Sequence, residues 1–241
     1  MRYLLLMCGE GRDEPSPAEI VAMPDFIGWE ARLRERGLPH QGVRLRPPGS
    51  AATVRLRAAE MLVTDGPFAE TREQMGGFEI LDCAGPDEAI EVAAGHPGAM
   101  HGNRVEVRSL AGPATGGEHA LVELARTGPP PGRHRYLMMV CLDPAAQPEP
   151  AAETIGGWVE QMSRNGVWRY GQRLGPASEA TMVSTMDGKV LTTDGPFAAA
   201  AEQIVEIGVL ECASLAEATT VAATHPVAAV GCVEVRPFWE E

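Results

Sequence analysis

Six residues, Thr64-Asp65-Gly66-Pro67-Phe68-Ala69, return unchanged at positions 193–198. The same offset of 129 keeps matching residues far outside the motif. It carries Trp29 onto Trp158, Gly37 onto Gly166, Arg44-Leu45 onto Arg173-Leu174, Glu73-Gln74 onto Glu202-Gln203, Cys83 onto Cys212 and His96-Pro97 onto His225-Pro226. With small insertions it also pairs Arg2-Tyr3-Leu4 with Arg135-Tyr136-Leu137, and residues 105–108 with 233–236. Matches kept in order along the chain are the signature of an internal repeat. The chain therefore reads as two copies of one module, residues 1–111 and 134–241. Between them, residues 112–133 form a linker rich in Gly and Pro, with a short helix expected over 118–126. Fully extended, a linker of this size reaches about 80 Å at roughly 3.3 Å per residue, enough for the modules to pack face to face.

Within the first copy, residues 2–8 are a continuous apolar run closed by Gly9, the pattern of a strand buried on both faces. Pro24 opens a helix whose apolar face carries Phe26, Trp29 and Leu33, and Gly37 stops it. Its counterpart in the second copy presents Ile155, Trp158, Val159 and Met162 and ends at Gly166. Residues 53–57 and 60–64 alternate around a tight turn, as 180–185 and 189–193 do around Asp187-Gly188, which predicts two hairpins. Residues 78–83 read as a strand, 86–95 as a second helix and 105–110 as the last strand. Ser214 and Glu217 form an expected capping box at the second copy's second helix. The order is β-α-β-β-α-β with an extra hairpin strand, the ferredoxin-like arrangement of an α+β fold. Such a sheet carries helices on one face only, and the bare face needs a cover. Two tandem modules supply it for each other, so the expectation is a dimeric α+β barrel closed within one chain as an intramolecular pseudo-dimer.

The segments Arg2-Tyr3-Leu4-Leu5-Leu6-Met7, 63–78 around the central motif, and Val105-Glu106-Val107-Arg108 resemble the YCII-related, or DGPF-domain, family of bacterial proteins. The resemblance covers nearly all of the chain outside the linker. It implies a dimeric α+β barrel and a pocket faced by an Asp and a His that is proposed as an active site. It also implies kinship of fold with small-molecule isomerases, dehydrochlorinases and monooxygenases. Some family members are encoded beside alternative sigma factors, which implies a regulatory protein partner for those.

Two kinds of chemistry fit each candidate residue. Asp65 and Asp194 stand at strand ends before Gly-Pro, where a carboxylate serves as general base or orients an imidazole, or simply accepts the N–H groups of its turn. His96 and His225 each follow a helix and precede Pro. Each is either an imidazole at a pocket rim that titrates near neutral pH, or a helix-terminal cation on the last carbonyls. Asp65 with His96 would form an acid/base dyad if the fold brings them within hydrogen-bond reach. Arg44 and Arg173 recur in Gly-x-Arg-Leu and are either pocket groups suited to a substrate carboxylate or exposed strand cations, with Phe68 and Arg72 as further substrate-binding candidates. The first copy keeps Glu70-Thr71-Arg72 and Gly76-Gly77-Phe78 where the second has Ala199-Ala200-Ala201 and Val205-Glu206-Ile207, so the fuller pocket is expected in the first.

A formal net charge of −13 argues against a nucleic-acid partner or an anionic membrane surface. The apolar N-terminal run is too short for a signal segment or a span, which places the chain in the cytoplasm. The five cysteines lack Cys-x-x-Cys spacing and read as small core residues. No metal is expected, since Pro97 and Gly98 break any helical spacing between His96 and His101, and no cofactor motif is present. Two functions are compatible with these residues. One is a cofactor-independent acid/base site for a small molecule. The other is a non-catalytic ligand-sensing or protein-interaction module, with a homodimer or a sigma-factor-linked regulatory protein as partner.

Overall fold

The computed structural model of the protein describes residues 1–9, 15–69, 74–100, 102–117, 120–143, 145, 149–197 and 201–240. The first repeat runs β1 (Arg2–Gly9), α1 (Pro17–Val21), α2 (Pro24–Arg36), β2 (His40–Arg44), β3 (Ala52–Arg57), β4 (Glu60–Asp65), β5 (Gln74–Asp82), α3 (Pro86–Ala94) and β6 (Arg104–Thr115). After α4 (Ala120–Arg126), the second runs β7 (His134–Leu142), α5 (Ala152–Arg164), β8 (Trp168–Leu174), β9 (Thr181–Met186), β10 (Lys189–Asp194), β11 (Gln203–Cys212), α6 (Leu215–Ala223) and β12 (Cys232–Pro237).

Local sequence accounts for the main boundaries. Pro24 occupies the first turn of α2, where a missing N–H costs nothing, and Gly37 closes it at φ 66°, a left-handed angle suited to glycine. Ser214 accepts a hydrogen bond from the Glu217 amide at 3.2 Å, but the Glu217 carboxylate turns to the Ala213 amide at 2.6 Å, so the expected capping box is only half formed. A complete one starts α1, where Ser16 and Glu19 bond each other's amides. The strand expected over 78–83 starts earlier, at Gln74, because β5 pairs with β1 along its length through a bulge between Met7 and Cys8.

The strands join in one strongly curled, antiparallel sheet, and its pairing crosses between the repeats. The β3–β4 hairpin of the first repeat adds to β12 of the second, with Val54 opposite Val233. The β9–β10 hairpin of the second repeat adds to β6 of the first, with Val183 opposite Val105. Further contact between the halves comes from β6 against β8, where Leu110 faces Leu174, and from the bridge between Leu45 and Phe238.

Apolar residues separate into three layers. The central cluster takes alternate residues of both repeats: Leu4, Leu6, Phe78 and Ile80 from one, Leu137, Met139, Ile207 and Val209 from the other. Two outer clusters lie under the helices, one around Trp29, Leu33 and Val92, the other around Trp158, Met162 and Ala222. Burying a side chain of this size contributes about 2–3 kcal/mol, and the Trp29 indole N–H is satisfied by the Val92 carbonyl at 3.0 Å.

The segment between the repeats is packed, unlike a free tether. β6 continues through Ala111 to Thr115 alongside β8. Leu121 and Leu124 of α4 enter the central cluster, and the buried Arg135 guanidinium donates to the Leu124 carbonyl. No helix among the described residues is long and apolar enough to cross a membrane.

Candidate functional site

The repeated motif leaves β4 and β10 as two equivalent loops. Gly66 and Gly195 sit at φ 97° and 102°, where a Cβ would be strained, and donate to the Ala51 and Ala180 carbonyls at 2.8 Å. Each loop then docks on the other repeat. The Phe68 amide donates to Glu234 at 3.0 Å, and the Phe197 amide to Glu106 at 2.8 Å. Both phenyl rings pack on the central cluster. Glu106 and Glu234 are fully buried, and each is neutralised two residues on, by Arg108 and Arg236. Those guanidinium groups reach across to main-chain carbonyls, Arg108 to Ile204 at 2.7 Å and Arg236 to Met75. A buried pair with its remaining donors satisfied is the only kind that a core tolerates. The identity of the motif in both repeats thus has a docking explanation.

Asp65 and Asp194 are exposed at the ends of edge strands. His96 and His225 are buried beneath the helices, and among the described residues neither is hydrogen-bonded to an Asp. Hairpin exchange explains the separation, since the hairpin bearing Asp65 lies against the His225 loop, with Arg57 donating to the Ala228 carbonyl at 3.2 Å. The hairpin bearing Asp194 lies against the end of α3, with Thr185 donating to the Ala94 carbonyl at 2.8 Å.

Neither histidine is a helix-terminal cation. His96 Nδ1 accepts from the Gly98 amide at 2.8 Å and His225 Nδ1 from the Val227 amide at 3.3 Å, so the neutral ring carries its proton on Nε2. The rings stand edge-to-face with Trp29 and Trp158 at 4.6 and 4.7 Å. Burial holds both imidazoles down to about 4, with a lesser push from His40 on His96 and from Arg173 on His225. The helix-cation expectation fails because these residues cap the 3-10 turn that follows the helix.

Arg44 donates to the Gly76 carbonyl at 2.7 Å, its guanidinium 6.0 Å from the Trp239 ring. Arg173 forks onto Glu149 with both terminal nitrogens and lies 4.0 Å from Glu206. Arg72 and His101 lie outside the described residues. Among the described residues no cluster of three or more His, Cys, Asp or Glu suits a metal.

Two buried carboxylates escaped the sequence reading. Glu79 and Glu206 lie on the same strand of their repeats, but two positions apart in equivalent numbering, and the pattern is reciprocal. Glu79 matches Gly208, and Glu206 matches Gly77. Glu79 bonds His40 Nδ1 at 3.0 Å, and a Cβ on Gly42 would collide with its carboxylate. Burial raises Glu79, while the pair holds His40 above its usual range even though burial opposes that. Burial pushes the Glu206 carboxyl up to about 7, with Arg173 only partly offsetting it. A charged residue inside an apolar strand run, as in Phe78-Glu79-Ile80 and Val205-Glu206-Ile207, was the available signal. The surface also has two matching grooves, of about 240 Å³ beside Trp29, Arg36 and Gly95 and about 370 Å³ beside Met162, Asn165 and Thr224.

Fold and site together define a duplicated α+β protein in which each repeat completes the other's sheet and anchors the other's motif loop. The chain belongs to the YCII-related domain family, whose model matches residues 1–111 and again 135–241. It is also similar to the uncharacterized protein R00369 of Rhizobium meliloti (strain 1021), 45% identical over 71 residues. That match covers 30% of this chain and 57% of the relative's length.

Proposed function

We propose that the chain is a pair of ferredoxin-like modules closed as an intramolecular pseudo-dimeric barrel, and that its second repeat binds a small carboxylate-bearing molecule and exchanges a proton with it. The observation that carries this reading is Glu206, buried beside Arg173 with its carboxyl near 7. A group balanced at that pH serves as acid or base with little penalty either way. Arg173 supplies the matching cation. Its fork is filled by the Glu149 carboxylate, the geometry that a substrate carboxylate would take by displacing Glu149. His225 is close enough to feel the Arg173 charge. The reading moves the acid/base role from the Asp–His pairs to Glu206, and from the first repeat to the second.

The test is thermal unfolding with a panel of short mono- and dicarboxylates and their neutral amides at pH 7. Carboxylates should raise Tm where amides do not, the effect should vanish in Arg173→Met, and Arg44→Met should keep it. If no carboxylate raises Tm, or if Arg173→Met responds like the parent, the proposal fails. The interaction-module reading would then be favoured by the apolar side chains that the hairpins expose at Met61, Leu62, Val63, Met186, Val190 and Leu191.

A further inference from the structure

Cys141 on β7 and Cys232 on β12 are direct cross-strand partners in the antiparallel register. Both side chains belong to the central cluster, both are fully buried, and both are free thiols. The Cys141 thiol donates to the Met139 carbonyl at 3.8 Å and feels the neighbouring Cys232 sulfur. Directly opposed residues of antiparallel strands have Cα atoms about 4.5–5.5 Å apart, within the roughly 4.4–6.8 Å that a disulfide spans, so the backbone spacing suits a bond. Gly231 allows this close fit, since a Cβ there would collide with the Cys141 carbonyl.

The charged surroundings of the pair are unusual for core cysteines. The Cys232 thiol donates to Glu202 Oε2 at 3.4 Å, and Glu202 is held by a two-pronged ion pair with Arg55. The positive charge of Arg55 also acts on both sulfurs. Arg55 and Glu202 are partly exposed, at 31% and 21%, so the cluster links the buried thiols to solvent. The Glu202 carboxylate, held in place by Arg55, is thus positioned to take the Cys232 proton, and thiolate is the form that reacts with oxidants. The first repeat has no such pair, because Cys8 lies opposite Arg104 there, and Ser184 replaces Arg55 at the equivalent hairpin position.

We infer that Cys141 and Cys232 form a peroxide-reactive dithiol site, which a hydroperoxide converts to a cross-strand disulfide. The Cys232 thiolate attacks one peroxide oxygen, and the O–O bond breaks. The departing oxygen leaves as water or an alcohol, taking up the proton that Cys232 gave up, and Cys232 becomes a sulfenic acid. The Cys141 sulfur then attacks the sulfenic sulfur, and its proton leaves with the hydroxyl as water. The two thiols lose two electrons to the peroxide bond. Burial keeps Cys141 protonated well above the ordinary thiol range, which suits it to the second step rather than the first.

The experiment treats the intact, natively folded chain with hydrogen peroxide, alkylates the remaining thiols and maps peptides by mass spectrometry without reduction. The expected result is loss of two of the five thiols, a single cross-linked peptide joining Cys141 to Cys232, and full recovery with dithiothreitol. Arg55→Met should slow the cross-link about tenfold while leaving the circular dichroism spectrum unchanged. Retention of all five thiols overturns the proposal. So does over-oxidation of Cys232 without a bridge, or a mixture of bridges that includes Cys8 or Cys83, the mark of oxidation through unfolded chains.

Discussion

Three buried side chains set opposing responses to pH. His96 and His225 are held to about 4 in the folded chain against 6.5 for the free side chain. Unfolding therefore takes up protons, and the stability that these residues permit is complete above pH 6.5 and lost as pH falls toward 4. Each is worth about 3 kcal/mol across that window. Glu206 acts the other way, because its folded value of about 7 lies above the ordinary 4.5. Folding favours its protonated form, so its contribution is complete below pH 4.5 and is lost as pH rises through 7. The difference between variant and parent isolates that term. Glu206→Gln should gain on the parent by about 3 kcal/mol between pH 4.5 and pH 8 in urea unfolding, and a pH-independent difference would show that Glu206 is not the buried titrating group. The sequence exposed the histidines but gave the wrong chemistry for them, since the turn following each helix, and not the helix itself, claims Nδ1. It hid Glu79 because its burial depends on the opposing glycine Gly42, and Glu206 because its burial depends on the strand register that sets it opposite Arg173, which no local pattern encodes.

Among the elements, the paired hairpins show how far local pattern reaches. Alternation and turn residues located both, with boundaries within a residue or two, because a two-residue turn fixes its own register. The turns differ in strain. β9–β10 uses Asp187-Gly188, whereas β3–β4 holds Ala58 and Ala59 at φ 50° and 65°, left-handed angles that cost an alanine about 1 kcal/mol. Replacing Ala58-Ala59 by Asn-Gly should therefore raise stability by roughly 1–2 kcal/mol in chemical denaturation, and an unchanged or lowered midpoint would show that the strain is absorbed elsewhere. Alternation could not reveal which sheet each hairpin joins. Neither Val54 opposite Val233 nor Val183 opposite Val105 has a local sequence signature. The segment around α4 was legible as a connection and a short helix, but its Gly and Pro content concealed Leu121 and Leu124 as core residues.

Across the whole molecule, neither repeat owns a complete sheet or a self-sufficient motif loop, since Phe68 is anchored by Glu234 and Phe197 by Glu106. Fragments 1–117 and 120–241, co-expressed with different tags, should co-purify as a one-to-one complex, and each alone should self-associate or aggregate. Stable, monomeric folding of either fragment by size exclusion and circular dichroism would contradict the mutual completion of the sheet. The order in which the ribosome delivers the strands adds a constraint. β3 and β4 emerge early, whereas their partner β12 follows the other strands of the second repeat. Through most of synthesis the nascent chain therefore carries an unsatisfied, apolar strand edge, the kind of surface that chaperones bind and that pairs wrongly in crowded conditions. A stop codon even a few residues before Cys232 would leave that early hairpin without its partner, so loss of β12 would damage the first repeat as well as the second.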